Sequence, residues 1–285
     1  EGTSSSTNEG TSSSTNEGTS SSTETTGNVI DGYISNASVR ILDLQDNIIQ
    51  ETTTDDYGEF ILSNISAPYK VEVEGGIDIS TNELNDILLS TIMLNDTDPL
   101  NITPITSMIL NTFEIDNLDV NEDNLYLVKS KLANKLDISA ENIYQDFIQN
   151  NNIDLTKKAL QFSHNLRVMS GLGFDNNVEN SKKIRKKLVE KILQNDISVL
   201  NDDTHINDVI DNIYTEISPN FSQKTKNKNN ARRMIRKINN SYNSISLSEN
   251  RRNDFQKLFK IGKGFKNNST LDKWTGKINS SKGNT

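Results

Sequence analysis

The chain has 285 residues, 24% of them charged, no cysteine and a formal net charge of −9. That length suits one large or two small domains at the usual ~100–200 residues each. The lack of cysteine excludes disulfide staples and thiolate chemistry, and no apolar run reaches the roughly 18–20 residues of a membrane-spanning helix. Charge is unevenly placed: residues 221–285 carry 16 Lys and Arg against three acids, and residues 1–220 carry 14 against 36. This suits attraction between opposite-charge ends, within one chain or between copies, or a basic end that meets an anionic partner.

Residues 1–27 open with EGTSSSTN, EGTSSSTN and EGTSSSTE. They contain no aliphatic or aromatic side chain through residue 26, so burial offers nothing against the entropy of ordering them. Repeated Gly, Ser and Thr predict a disordered tether with a root-mean-square span of about 30 Å. A tether implies that one end is held while a folded part works at a distance. The chain begins at Glu1 without methionine, and such a start resembles the mature end of a bacterial lipoprotein whose lipidated cysteine would precede Glu1. A linker inside a longer protein fits the same residues.

Residues 28–103 change texture to short β-branched runs at 29–34, 38–44, 48–53, 59–62 and 69–74. Alternation in Val39-Arg40-Ile41 and Tyr69-Lys70-Val71-Glu72-Val73 has the period of half-buried strands. Asp31-Gly32, Asp46-Asn47, Asp55-Asp56-Tyr57-Gly58 and Glu74-Gly75-Gly76 supply turns between them. The expected fold of this part is a small antiparallel β-sandwich.

The segment Thr54-Asp55-Asp56-Tyr57-Gly58-Glu59-Phe60, after a strand containing Ala37-Ser38-Val39, resembles the T-D-x-x-G-x-F signature of the carboxypeptidase regulatory-like, or transthyretin-like, sandwich. Gly75-Gly76-Ile77-Asp78-Ile79-Ser80-Thr81 is similar to a G-G-x-D-x-x-T-G stretch, with Asn82 in place of the last glycine. The stretch from Asn101 through Thr103-Pro104 to Ile109 is similar to V-T-P-L-T-T-L-V. Together these resemble modules of bacterial surface and adhesin-like proteins in which the sandwich runs into a helical segment. The resemblance implies a non-catalytic extracytoplasmic module in which Gly58 suits the turn and Phe60 plugs the core. It implies no particular ligand.

From residue 104 to 220 apolar residues recur at helical spacing, with Pro104 placed for a first turn. The stripes are Ile105, Met108, Ile109 and Phe113; Leu125, Val128, Leu132 and Leu136; Ile143 and Phe147; and Leu155, Ala159, Phe162, Leu166 and Met169, stopped by Gly171. Ile184, Leu188, Ile192 and Leu193, then Ile206, Val209, Ile210, Ile213 and Tyr214, complete the set. These predict a helical bundle docked on the sandwich, so the fold class is α+β with strands and helices segregated. Residues 221–262 read as basic amphipathic helices and residues 263–285 as a mobile basic tail holding the lone Trp274.

The basic helices present Arg232, Arg233, Arg236, Lys237, Arg251, Arg252, Lys257 and Lys260 as candidates for contact with an anionic surface. The reading favoured for these helices is that they pack on the acidic body and show their lysines to water. Asn95, Asp96, Asp98 and Asn101 crowd one loop and Asp116, Asp119, Glu122 and Asp123 another. Oxygen-rich loops suit a hard cation, which makes Asp96 and Asp98 calcium candidates, although helix capping and turn formation explain the same residues. No other cofactor is suggested. His164 and His205 are the only histidines, the common nucleophile, zinc and phosphate-loop signatures are missing, and His164 reads as a helix-surface or boundary residue. Aromatics are too scattered among the basic residues for a nucleic-acid platform.

The expectation is thus a non-enzymatic, tethered protein of a bacterial cell envelope or surface, with a structural or adhesive role. Its partner would be an anionic envelope polymer, a membrane surface or another protein. The alternative is a carbohydrate- or calcium-binding module acting through the sandwich loops; an enzyme ranks third.

Overall fold

The computed structural model describes residue 2 and residues 23–171, 177–217, 224–245, 257–259 and 261. Ten strands come first: β1 (Glu24–Val29), β2 (Ile34–Ser35), β3 (Ser38–Leu42), β4 (Ile48–Thr53), β5 (Glu59–Ser63), β6 (Tyr69–Glu74), β7 (Ile77–Asp78), β8 (Glu83–Leu84), β9 (Leu89–Met93) and β10 (Asn101–Ile102). Helices follow: α1 (Ser107–Asp116), α2 (Glu122–Leu136), α3 (Ile153–Ser170), α4 (Val178–Gln194), α5 (Asp203–Ile217) and α6 (Lys224–Ser244), with short 3-10 turns at Ala140–Asn142 and Ile197–Asn201. The α+β class and its order, strands then helices, therefore hold.

The strands form three small sheets, ordered β4-β3-β6-β9, β10-β1-β5 and β2-β7-β8. Alternation works as expected in β3 and β5, where Val39, Ile41, Phe60 and Leu62 point inward. β9 was not anticipated because all five of its residues are buried. It is covered on both faces, so its sequence does not alternate.

β1 starts at Glu24, inside the stretch predicted to be a tether. Its first three side chains are exposed, and backbone pairing to β5 holds it in register from Glu24↔Ser63 to Asn28↔Glu59. Gly27 then lies under the Phe60 ring, which a Cβ would approach to 2.4 Å. Neither backbone pairing nor a glycine shows in hydrophobicity, which is why composition placed the boundary late. Apart from Gly2, Thr23 and Glu24 the repeat lies outside the described residues, as does the whole 263–285 tail.

Helix starts and turns draw on the unusual abundance of asparagine. Asn121, Asn152 and Asn177 cap α2, α3 and α4 by accepting from the backbone N–H three residues on. Among the described residues all seven non-glycine positions with positive φ are Asn or Asp, including Asn82 at +59° where the resembling motif has glycine. The Ile143 and Phe147 stripe is buried but sits in turns after a 3-10 segment rather than in a regular helix.

The junction of the two halves is a polar knot. Thr103 Oγ1 accepts from the N–H groups of Ile105 and Thr106 at 3.1 and 3.0 Å, and the Ser107 N–H reaches Thr103 O at 3.0 Å. Helical bonding thus begins with Pro104 in the first turn, ahead of the formal start of α1. Ser107 Oγ accepts from Ser90 N–H on β9 at 2.8 Å, and Tyr144 donates its hydroxyl to Ile92 O at 2.6 Å. Around these bonds one contiguous apolar core runs from Val29 in the strands to Leu258 near the end of the described chain.

Gly75 and Gly76 separate two physical demands. Both have positive φ, but a Cβ at Gly75 meets nothing within 4 Å, whereas at Gly76 it comes within 2.7 Å of Ser35 O and Ile34 Cγ2. Gly75→Ala should cost about 1–2 kcal/mol, the left-handed penalty alone. Gly76→Ala should cost clearly more, because backbone must move; urea denaturation of the two variants side by side measures the difference.

Candidate functional site: a buried charge cluster between strands and helices

The turn after β1 places Asp31 against α3. Its carboxylate is 3% exposed as a residue; Oδ2 accepts from Ser163 Oγ at 2.6 Å and from Arg167 Nη2 at 3.4 Å. Ser163 and Arg167 are one helical turn apart, so both face the same carboxylate. Arg167 also donates through Nε to Asp86 at 2.5 Å. Asp31 Oδ1 is buried without any hydrogen-bond partner.

Asp78, on β7, sits beside this pair. It accepts from Ser80 N–H at 2.8 Å and from Thr81 Oγ1 at 2.9 Å, so it folds its own turn while lying over Gly32, where a Cβ would be 2.2 Å from its Oδ1. His164 Nδ1 and the Tyr242 hydroxyl are 2.7 Å apart and tie α6 to α3. A cavity of about 10 Å³ lies among Asp31, Asp78, Thr81, His164, Arg167 and Phe259, room for about one water.

Burial dominates the electrostatics. Desolvation raises the Asp31 carboxyl from 3.8 to about 7, against the opposing pull of Arg167 and the Ser163 hydrogen bond. Asp78 is raised for the same first reason. Burial would lower Arg167, but the Asp86 and Asp31 carboxylates outweigh it and hold the guanidinium above its ordinary range. Arg167 is closer to Asp86 than to Asp31; its attraction is the largest effect opposing the desolvation of Asp31 but does not outweigh it. Chemically the cluster can take up and release a proton near neutrality.

The structure distributes the sequence-predicted residues as follows. Asp55, Gly58 and Phe60 act together: Asp55 Oδ1 accepts from the N–H groups of Tyr57 and Glu59, Gly58 has φ +84°, and Phe60 is buried. Gly75, Gly76, Thr103 and Pro104 serve the turn and the knot already described. Asp96 accepts from Ala67 N–H at 3.0 Å and Asp98 takes both contacts of Lys129, at 3.0 and 3.2 Å. No group of three or more metal-capable side chains occurs among the described residues.

On α6, Arg232 pairs with Asp211 at 3.1 Å and Arg236 with Asp203 at 2.5 Å, both acids of α5. Arg233 and Lys237 are exposed. Lys257 is exposed on the short described helical piece, while Arg251, Arg252 and Lys260 lie outside the described residues.

His164 corrects the sequence reading: it is 7% exposed and bonded to Tyr242, not a surface or boundary residue. α3 is buried nearly all round, from Leu155 to Met169, so no face of it is left for a boundary histidine. Sequence reasoning missed the Asp31–Arg167 cluster because Asp31-Gly32 is an ordinary turn dipeptide. The available signal was Arg167 itself, the one Lys, Arg, Asp or Glu between residues 159 and 170 of a largely apolar helix.

Comparison with known proteins finds no matching family model, curated protein or solved structure.

Two variants test the cluster. Because the folded pKa of Asp31 is raised, the folded state holds a proton that the unfolded state loses between pH ~4 and ~7. The stabilisation is full below the unfolded pKa and is lost as pH rises through the folded one. Asp31→Asn should remove that downward slope, seen as a flatter urea-midpoint profile from pH 4 to 8. Arg167→Met should cost about 3–5 kcal/mol by stranding buried carboxylates, with partial rescue when combined with Asp31→Asn.

Proposed function

We propose that this chain is a non-catalytic structural or adhesive protein of a bacterial cell envelope or surface, held through its N-terminal repeat. In this reading the β half is a transthyretin-like sandwich of the carboxypeptidase regulatory-like kind and carries the helical bundle outward. The observation that carries the proposal is the attachment of the repeat to β1. β1 is the middle strand of its sheet, with β5 antiparallel on one side and β10 parallel on the other. A pull arriving from residues 1–23 runs lengthwise along β1 and is met by the β5 ladder from Glu24 to Asn28, with β10 adding its pairing at Asn28 and Val29, so the load is shared along the strand.

The internal use of the motif residues supports the same reading. Asp55, Asp78 and Thr103 spend their hydrogen bonds on turns and on the helix start, which is the economy of a scaffold. Contact with an anionic polymer or membrane falls to the exposed cations of α6, Arg233 and Lys237, together with the basic residues that follow. Lys228, Arg232 and Arg236 pair with α5 acids, so part of the attraction between the acidic and basic parts of the chain is satisfied inside the molecule.

Binding of the full chain to anionic vesicles and to cell-wall material across a salt series tests this. Binding should fall as salt rises, and Arg233→Glu/Lys237→Glu should weaken it several-fold without changing the urea midpoint. Absent binding, or binding indifferent to both salt and the double variant, would remove the surface-contact role.

A further inference from the structure

Asp31 meets its surroundings through one oxygen. Oδ2 accepts from Ser163 and Arg167, whereas Oδ1 is buried without a hydrogen-bond partner among the described residues, in a side chain only 1% exposed. An ionised oxygen withdrawn from water without a donor is far costlier than a neutral one. The same carboxyl lines the cavity of about 10 Å³, with Phe259 also on its wall, so it borders a space with room for about one water.

The charges around this carboxyl oppose its ionisation. α3 faces it with Ser163, His164 and Arg167, the last held at 2.5 Å by Asp86 before β9. Asp78 of β7 and Glu83 of β8 line the cavity. α6 brings Tyr242, whose hydroxyl lies 2.7 Å from His164 Nδ1 and is itself pushed up by the Asp31 charge. Lys257, the one charge on residues 257–259, is exposed. Arg167 thus stands against three carboxylates besides Asp31, and charging Asp31 adds a like charge to a set already in excess; Asp78 and Asp86 both raise the Asp31 carboxyl in this way.

The walls of the cavity differ in how they are held. α3 is fixed to the strands by Arg167 and to α6 by buried amides. Asp78 bonds within its own turn, and β7 pairs with β2 and β8. α6 is tied through Tyr242 and Asn239. Residues 257–259 turn inward only Leu258, fully buried, and Phe259, half-buried on the cavity wall. Neither side chain has a polar atom, so apolar packing alone seats these two side chains. Packing of this kind is non-directional and yields before a network whose bonds must all break together.

We propose that Leu258 and Phe259 form a proton-controlled plug, seated on the cavity while Asp31 is neutral and withdrawn when Asp31 ionises, which lets water reach Oδ1. In the seated form burial holds the carboxyl at about 7, and hydration returns it towards its ordinary 3.8. The seated form is therefore fully favoured below the ordinary value. The ratio of withdrawn to seated rises up to tenfold per pH unit as pH climbs between the two values, and levels off above about 7. His164 borders the same cavity but acts with the opposite sign, because a histidine gains its charge as pH falls. The direction of the response thus tells the two groups apart. The plug is a property of one chain by itself and does not rest on the surface-contact role.

Fluorine NMR of the full chain carrying 4-fluorophenylalanine is the test, with the Phe259 resonance assigned by Phe259→Leu. From pH 4 to 8 that resonance should move from a buried to a solvent-exposed position, while those of core Phe113 and Phe162 stay in place, as local opening requires. Asp31→Asn should hold the plug seated across the whole range. Ser163→Ala removes a hydrogen bond that favours the charged carboxyl, so it should increase the withdrawn population at pH 8 several-fold; this variant keeps the test decisive where Asp31→Asn does not fold. Acrylamide quenching of a Phe259→Trp/Trp274→Phe chain reads the same step independently, with protection at pH 4 and access at pH 8. A Phe259 resonance that stays buried to pH 8, one that becomes exposed on acidification instead, or a response that survives Asp31→Asn or is indifferent to Ser163→Ala would each overturn the proposal. So would movement of Phe113 and Phe162 in step with Phe259, since that is global unfolding.

Discussion

Arg167 lies between carboxylates from different parts of the β half, Asp31 after β1 and Asp86 before β9, while its own backbone belongs to the central helix α3. A guanidinium withdrawn from water must be met by acceptors in a fixed geometry, because each unmet hydrogen bond or charge costs several kcal/mol. The consequence is positional. α3 cannot slide or rotate against the strands without separating Arg167 from Asp86 and exposing Ser163 and Asp31 to each other's unmet valences. Apolar packing of Phe162, Leu166 and Met169 would tolerate a shifted register more easily. The charge cluster therefore specifies one docking of helix on strands, and the apolar core makes that docking favourable.

A second polar contact reinforces the helical side. Arg185 of α4 is 2% exposed and donates to Asn111 of α1 at 2.8 Å and to Leu88 O at 2.9 Å. Burial lowers its pKa to about 10, with Glu72 and Glu114 opposing that shift. Gln161, Asn165 and Asn239 form a further buried amide network between α3 and α6. The halves and the helices are thus registered by amide and guanidinium groups at a few points within an otherwise apolar interior. Such groups specify geometry more than they add net stability.

Much of the secondary structure was legible because it follows local rules. The 48–53 and 69–74 runs became β4 and β6 with the same bounds, the first legible from its β-branched residues and the second from its alternation. The helical stripes of α2 to α5 are buried as spaced, since one face of each must enter the core. What was not legible depends on partners distant in sequence. β9 is buried on both faces because α1 covers the second one, and β1 is a strand because β5 stands beside it. The site residues divide in the same way. Asp55 and Thr103 bond within a few residues and were found by motif, whereas Asp31 meets residues 132 and 136 positions away and no local pattern announces that meeting. The chain's abundant asparagine serves caps and left-handed turns that glycine would otherwise serve.

The pairing of β1 also sets an order of events in making the molecule. Its antiparallel neighbour β5 is about 35 residues away, but its parallel neighbour β10 pairs Asn28 with Asn101, 73 residues on. Loop closure of that length is slow relative to a hairpin. At ~5–20 residues per second a chain emerging from synthesis would carry β1 with one side open for about 4–15 s before residue 102 arrives. Through that interval the strand nearest the N-terminus is an unfinished edge, and a neighbouring nascent chain presenting its own residues 101–102 could complete it in place of the native segment.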